Sequence, residues 1–76
     1  MGSSLPATAA VSRRLRARMA FEGIRQAAVA EALGISQPQV SARLRGEVAW
    51  TVDELAVVCG LLGVELGWVV AGGEAA

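Results

Sequence analysis

Glycine punctuation is the feature that most constrains this chain. Gly23, Gly34, Gly46 and Gly63 each follow a run in which apolar residues recur every three or four positions. A glycine just past a helix end is favoured because that position takes a left-handed backbone that other residues enter only at a cost. The chain is thereby cut into helices too short to be stable alone, which must bury their apolar faces against one another. Val11, Leu15 and Met19 mark a first helix, capped by Thr8 and running to about Glu22. Val29, Ala30 and Leu33 mark a second over Gln26–Leu33. Ser36 opens a third. With Gln39 it forms an S-x-x-Q capping box, Pro38 sits harmlessly in the first turn, and Val40 and Leu44 form the buried side. Thr51 opens a fourth with Glu54 as a second capping box, Trp50 and Leu55 as a hydrophobic staple, and Leu55, Val58, Cys59 and Leu62 as its buried stripe. A short fifth helix around Glu65–Val70 closes the core with Leu66, Val69 and Trp68. There is no strand pattern and no internal repeat, so the expected fold is all-α with five helices.

Seventy-six residues make one small domain. A chain of this size buries only about 60% of the surface its unfolded form exposes, so a second subunit would help it. The expected organisation is a loose tail over 1–7, a folded domain over 8–71 and a C-terminal tail over 72–76. One cysteine excludes an intramolecular disulfide and a Cys-cluster zinc site. The absence of histidine removes the usual general base and the commonest metal ligand. No catalytic residue, metal ligand, cofactor or small-molecule substrate is therefore expected, and the composition argues against an enzyme. Cys59, inside a buried stripe, reads as a small apolar residue.

The segment Leu55–Gly73 has one charge, Glu65, and its length would allow a membrane span. Glu65 near its middle, the lack of any cation after Arg45 and the glycines at 60, 63 and 67 favour buried helices instead. The N-terminus lacks the apolar core of a signal peptide, so the expected location is the cytoplasm.

Net charge is zero, but residues 1–45 hold all seven arginines and only two acids, a balance of +5. Residues 46–76 hold five acids and no cation, a balance of −5. One basic half on a neutral chain implies an anionic partner for one face. Arginine in place of lysine suits bidentate phosphate and guanine contacts.

The informative stretch is Gln26–Gly46. Two short helices meet at the Gly34 turn, Ala30 allows close crossing, Ile35 plugs the turn and Val40 packs back, as in a helix-turn-helix. The string Gln-x-x-Val-Ala-x-x-Leu-Gly-Ile-Ser-Gln-x-x-Val-Ser from Gln26 to Ser41 is followed by Leu44-Arg45-Gly46 and by Trp50-Thr51-Val52-Asp53-Glu54-Leu55. With these residues the chain resembles the lambda-repressor/Cro-type (Xre-like) helix-turn-helix family over about residues 9–71, and most closely its small actinobacterial or actinophage regulators. Two positions depart from the pattern: Arg25 replaces the usual polar cap of the second helix, and Arg43 stands where many members carry an apolar residue.

The resemblance implies a lambda-repressor-like domain that reads a double-stranded DNA operator, as a stand-alone Cro-like regulator acting on the bacterial nucleoid. Gln37, Pro38, Ala42 and Arg43 are the expected base readers. Gln26, Arg13, Arg14, Arg16, Arg25, Arg45 and Ser41 are the expected phosphate contacts, with one or two of the first-helix arginines reaching DNA. One such helix reads few base pairs, so a homodimer on a palindromic site is expected. The arginine-free segment with Leu66, Trp68, Val69 and Val70 is its expected interface. A protein-interaction module such as an antitoxin, or an excisionase-like architectural DNA binder, is the alternative.

Overall fold

A computed structural model describes residues 6–72. Among these residues the chain forms five helices and no strand: α1 (Pro6–Glu22), α2 (Gln26–Leu33), α3 (Gln37–Leu44), α4 (Val52–Leu62) and α5 (Leu66–Ala71). The first helix starts at Pro6 rather than at a Thr8 cap. Proline fixes a helical φ, and the N–H it lacks is one that a helix start leaves unpaired anyway. Thr8 is instead a buried residue inside α1. The expected tails fall outside the described residues apart from Pro6, Ala7 and Gly72, the first two of which are helical.

Each helix sends one fully enclosed apolar side chain to the centre: Leu15 from α1, Val29 from α2, Val40 from α3, Val58 from α4 and Val69 from α5. Burying each of these stabilises the fold by about 1.5–3 kcal/mol relative to leaving it exposed. The expected stripe Leu55, Val58, Cys59 and Leu62 is buried throughout. Leu33, expected in the core, is only half-buried, because it is the last residue of α2 and packs against the core from its edge. The fifth helix is part of the closure: α1 packs on α3, α4 and α5, α2 packs on α3 and α4, and α4 packs on α5.

Two capping boxes set the starts of α3 and α4. The Glu54 N–H donates to Thr51 Oγ1 at 3.0 Å, and the Thr51 N–H donates to Glu54 Oε1 at 3.0 Å. The turn after α3 depends on Gly46 twice. Its φ is +82°, and an added Cβ would lie 3.3 Å from the Ala9 Cα of α1. Any side chain there strains the backbone and presses on α1.

Leu15→Ala is expected to lose about 2–5 kcal/mol of stability, and Leu33→Ala distinctly less. Gly46→Ala is expected to lose about 1 kcal/mol or more. Urea denaturation of the three variants checks the ranking, which fails if Leu33→Ala unfolds before Leu15→Ala.

Candidate nucleic-acid interface

The α2–turn–α3 unit is built from local hydrogen bonds. Gly34 takes φ +71°, and its N–H and that of Ile35 both donate to the Ala30 carbonyl, at 2.8 and 3.1 Å. This turn ends α2 and redirects the chain. Ser36 then caps α3: the Gln39 N–H donates to Ser36 Oγ at 3.3 Å, and the Ser36 N–H donates to Gln39 Oε1 at 2.8 Å. Gln39 is thus turned back on its own helix, while Gln37 and Pro38 stand exposed in the first turn and Ala42 is half-buried. At the start of α2, Arg25 has an extended backbone and makes no side-chain cap. The Ala28 and Val29 N–H groups donate to the Arg25 carbonyl at 3.0 and 3.3 Å, which leaves those of Gln26 and Ala27 for an outside acceptor, where an anion is favoured. Gln26, the first residue of α2, is exposed beside them.

A helix end leaves four carbonyls without helical partners, and in α3 every one is bonded. The Ser41 carbonyl accepts from the Arg45 N–H at 2.9 Å, and that of Ala42 from the Glu47 N–H at 3.0 Å. The Arg43 carbonyl accepts from the Gly46 N–H at 3.0 Å and from Ser12 Oγ of α1. The Leu44 carbonyl accepts from Arg16 Nη1, also of α1. Ser12 is completely buried, and its oxygen in turn accepts from Trp50 Nε1 at 2.9 Å. Its burial is thereby offset by two hydrogen bonds.

The seven arginines divide into distinct roles. Arg14 donates through Nη1 to the Val69 carbonyl at 2.8 Å and to that of Val70 at 3.4 Å. A cation at the C-terminus of α5 also complements the helix dipole. Arg16 is tied to Leu44. Arg18 pairs with Glu22 at 2.7 Å and lies 5.0 Å from the Phe21 ring centre. Arg43 meets Glu54 with two bonds, Nε to Oε1 at 3.1 Å and Nη2 to Oε2 at 3.2 Å, and both side chains are largely buried, at 14% and 18% exposure. Arg45 reaches Glu47 at 2.8 and 3.1 Å and Ser41 Oγ at 2.6 Å, all at the surface. Among the described residues, only Arg13 and Arg25 make no hydrogen bond or ion pair through their side chains.

These placements revise the expectations. Arg43, expected among the base readers, is held against α4. Arg14 and Arg16, expected at phosphates, hold the ends of α5 and α3. Val69, expected at a dimer face, is fully enclosed within the chain's own core, because α5 completes that core. Trp68 and Val70 remain exposed and Leu66 is half-buried. The sequence reading also missed Ser12 and the second role of Glu54. Ser12 was visible in principle, since it shares a helical face with Leu15 and Met19 at spacings of three and seven. Arg43 at a usually apolar position was the one sign of its partner.

The helix-turn-helix family model matches residues 15–69, more than half of the chain. The chain belongs to the helix-turn-helix family. Its class of function is that of a sequence-specific DNA-binding regulator, in a family that is typically non-enzymatic. No match to the chain was found among curated proteins or solved structures. Among the described residues, no helix is long and apolar enough to cross a membrane.

Electrostatics follow the same geometry. Burial pushes the Glu54 carboxyl up, but the Thr51 N–H and the Arg43 guanidinium outweigh it and hold the carboxyl below its ordinary value. At the surface, the hydrogen bond from Arg45 lowers Glu47 in the same way. Burial raises the Cys59 thiol and leaves it protonated. Because the folded value of Glu54 is depressed, its contribution to stability is present above the ordinary glutamate value of about 4.3 and is lost as pH falls through the folded value. Glu54→Gln is therefore expected to flatten the acid limb of the stability curve. Melting temperatures measured from pH 6 down to pH 2 check this, and parallel curves for both proteins would contradict it.

Proposed function

We propose that this helix-turn-helix protein is a Cro-like repressor that binds a palindromic or near-palindromic operator as a homodimer on nucleoid DNA. The observation that carries the reading is the first turn of α3. Gln37 and Pro38 are exposed on a helix that is capped by Ser36 at its start and bonded through its last four carbonyls at its end. Gln37 is the main reader in this proposal, because glutamine can pair bidentately with adenine. Pro38 and Ala42 supply apolar contact to a thymine methyl.

Phosphates are taken by Arg13, Arg25 and Arg45 and by Gln26 with the uncapped start of α2, with Ser41 beside Arg45. Arg14, Arg16 and Arg43 drop out of the contact set. The proposed dimer surface is reduced to Leu66, Trp68 and Val70. Trp68 and Val70 are 36% and 54% exposed and give an apolar patch on the segment that bears no cation. Two such subunits place their reading helices about 34–36 Å apart, one turn of DNA.

Selection of bound fragments from a random duplex pool tests the reading. An enriched inverted repeat is expected, and a footprint covering one half-site at saturating protein contradicts the dimer. With three arginines per subunit at phosphates, log K on the enriched duplex is expected to fall with log salt at a slope of about −5, at roughly −0.9 per contact. Gln37→Ala is expected to lose about 1–3 kcal/mol on the enriched duplex and little on random DNA. Arg25→Ala is expected to weaken both and flatten the slope. A Gln37→Ala variant that weakens both duplexes equally removes Gln37 from the base-reading surface.

A further inference from the structure

We infer that the Arg43–Glu54 pair is a positioning clamp that sets the orientation of α3 and so governs sequence discrimination without touching a base. The inference rests on the DNA reading of α3 for its functional consequence, but its structural part stands without DNA. The backbones of α3 and α4 do not pack against each other. Both pack on α1 and α2, and the Arg43–Glu54 pair adds a direct side-chain link between them, with two parallel bonds at 3.1 and 3.2 Å.

Long arginine side chains usually transmit little orientation, because they are flexible. Here the guanidinium is fixed on both sides. Its Nη1 donates to the Gln39 carbonyl, one turn back on its own helix, at 3.0 Å. The group is therefore held to α3 at two points, its own stem and Gln39, and to α4 through the carboxylate. Glu54 is equally constrained: its Oε1 also accepts the Thr51 N–H that opens α4. A tilt of α3 would have to break the ion pair, the Gln39 contact or the capping box of α4. Ser12 and Arg16 hold the C-terminal end of α3 to α1. Packing on α1 and α2 seats the helix, and the clamp adds a directional restraint toward α4. A bidentate guanidinium–carboxylate pair has the geometric specificity this needs, which a point charge such as lysine lacks.

The test compares wild type with Arg43→Met, Arg43→Lys, Glu54→Gln and Arg43→Met/Glu54→Gln, each first shown to be folded by circular dichroism. Without DNA, amide residual dipolar couplings report the orientation of α3 against α4. A reorientation of α3 is expected in Glu54→Gln and in Arg43→Met, with Arg43→Lys intermediate and folded should Arg43→Met fail to fold. Unchanged couplings overturn the clamp whatever the DNA results. With DNA, the probes are the duplex enriched from a random pool and a shuffled duplex of equal length. The ratio of the two affinities is expected to fall about tenfold in each single variant and no further in the double variant. Affinity for the shuffled duplex and the salt slope are expected to stay at wild-type values.

Three outcomes with DNA also overturn the inference. A flatter salt slope in Arg43→Met makes Arg43 a phosphate contact. Loss of discrimination in Arg43→Met, with none in Glu54→Gln, makes Arg43 a direct reader. An unchanged ratio in all variants leaves the pair a stabilising contact alone. If no duplex is enriched, the DNA reading fails and the functional part of the clamp fails with it, while the couplings still decide the structural part.

Discussion

The placement of α3 hangs on the carbonyls at its C-terminal end. A helix of eight residues cannot hold itself together in water. Its last turn faces the protein interior, where an unbonded carbonyl costs about 1–3 kcal/mol. Two of the four carbonyls are bonded from outside the turn by α1, through Ser12 and Arg16, and the loop bonds the others and shares in one. That loop can do so because Gly46 takes a left-handed backbone against Ala9. The position of α3 is therefore a property of α1 and of one glycine as much as of α3 itself.

The first helix acts as a hub by the same means. It caps α3 with Ser12 and Arg16 and α5 with Arg14, and it contributes Leu15 to the centre of the core. Using arginine at helix C-termini is economical in a small protein. Each guanidinium brings several donors and a charge that suits the negative end of the dipole, while its stem covers apolar surface. The consequence is that the +5 balance of the N-terminal half overstates its attraction for phosphate. Much of that charge faces carbonyls or carboxylates of the protein itself.

What could be read from sequence follows the range of the interaction. The bounds of α2, the starts of α3 and α4 and the stops at Gly34 and Gly63 depend on hydrogen bonds between residues three to five apart, and all were legible. So was the buried stripe of α4, since periodicity reports one face of one helix. The roles of Arg14, Arg16 and Arg43 were not legible, because their partners lie 55, 28 and 11 positions away and only the packed fold brings them together. A charge with no local partner reads as a surface charge. Thr8 was misplaced for a different reason: two start signals lay close together, and Pro6 prevailed. Val69 was ambiguous from the outset, because an apolar residue in a terminal helix suits a core and an interface equally well.

The division of the arginines bears on how discrimination can arise. Phosphate contacts raise affinity for every sequence alike, and a surface rich in free cations binds random DNA well. Here the chain is neutral overall, and only Arg13 and Arg25 lack side-chain partners among the described residues. The electrostatic background is correspondingly small. Specificity is the difference between operator and background, so a low background makes a few base contacts sufficient. In the proposed reading those contacts come from Gln37, Pro38 and Ala42, which have little reach to correct a misplaced helix. A reader of that kind works only if the helix arrives at the groove in one orientation, and the bonds from Ser12, Arg16 and Glu54 to α3 restrain that orientation.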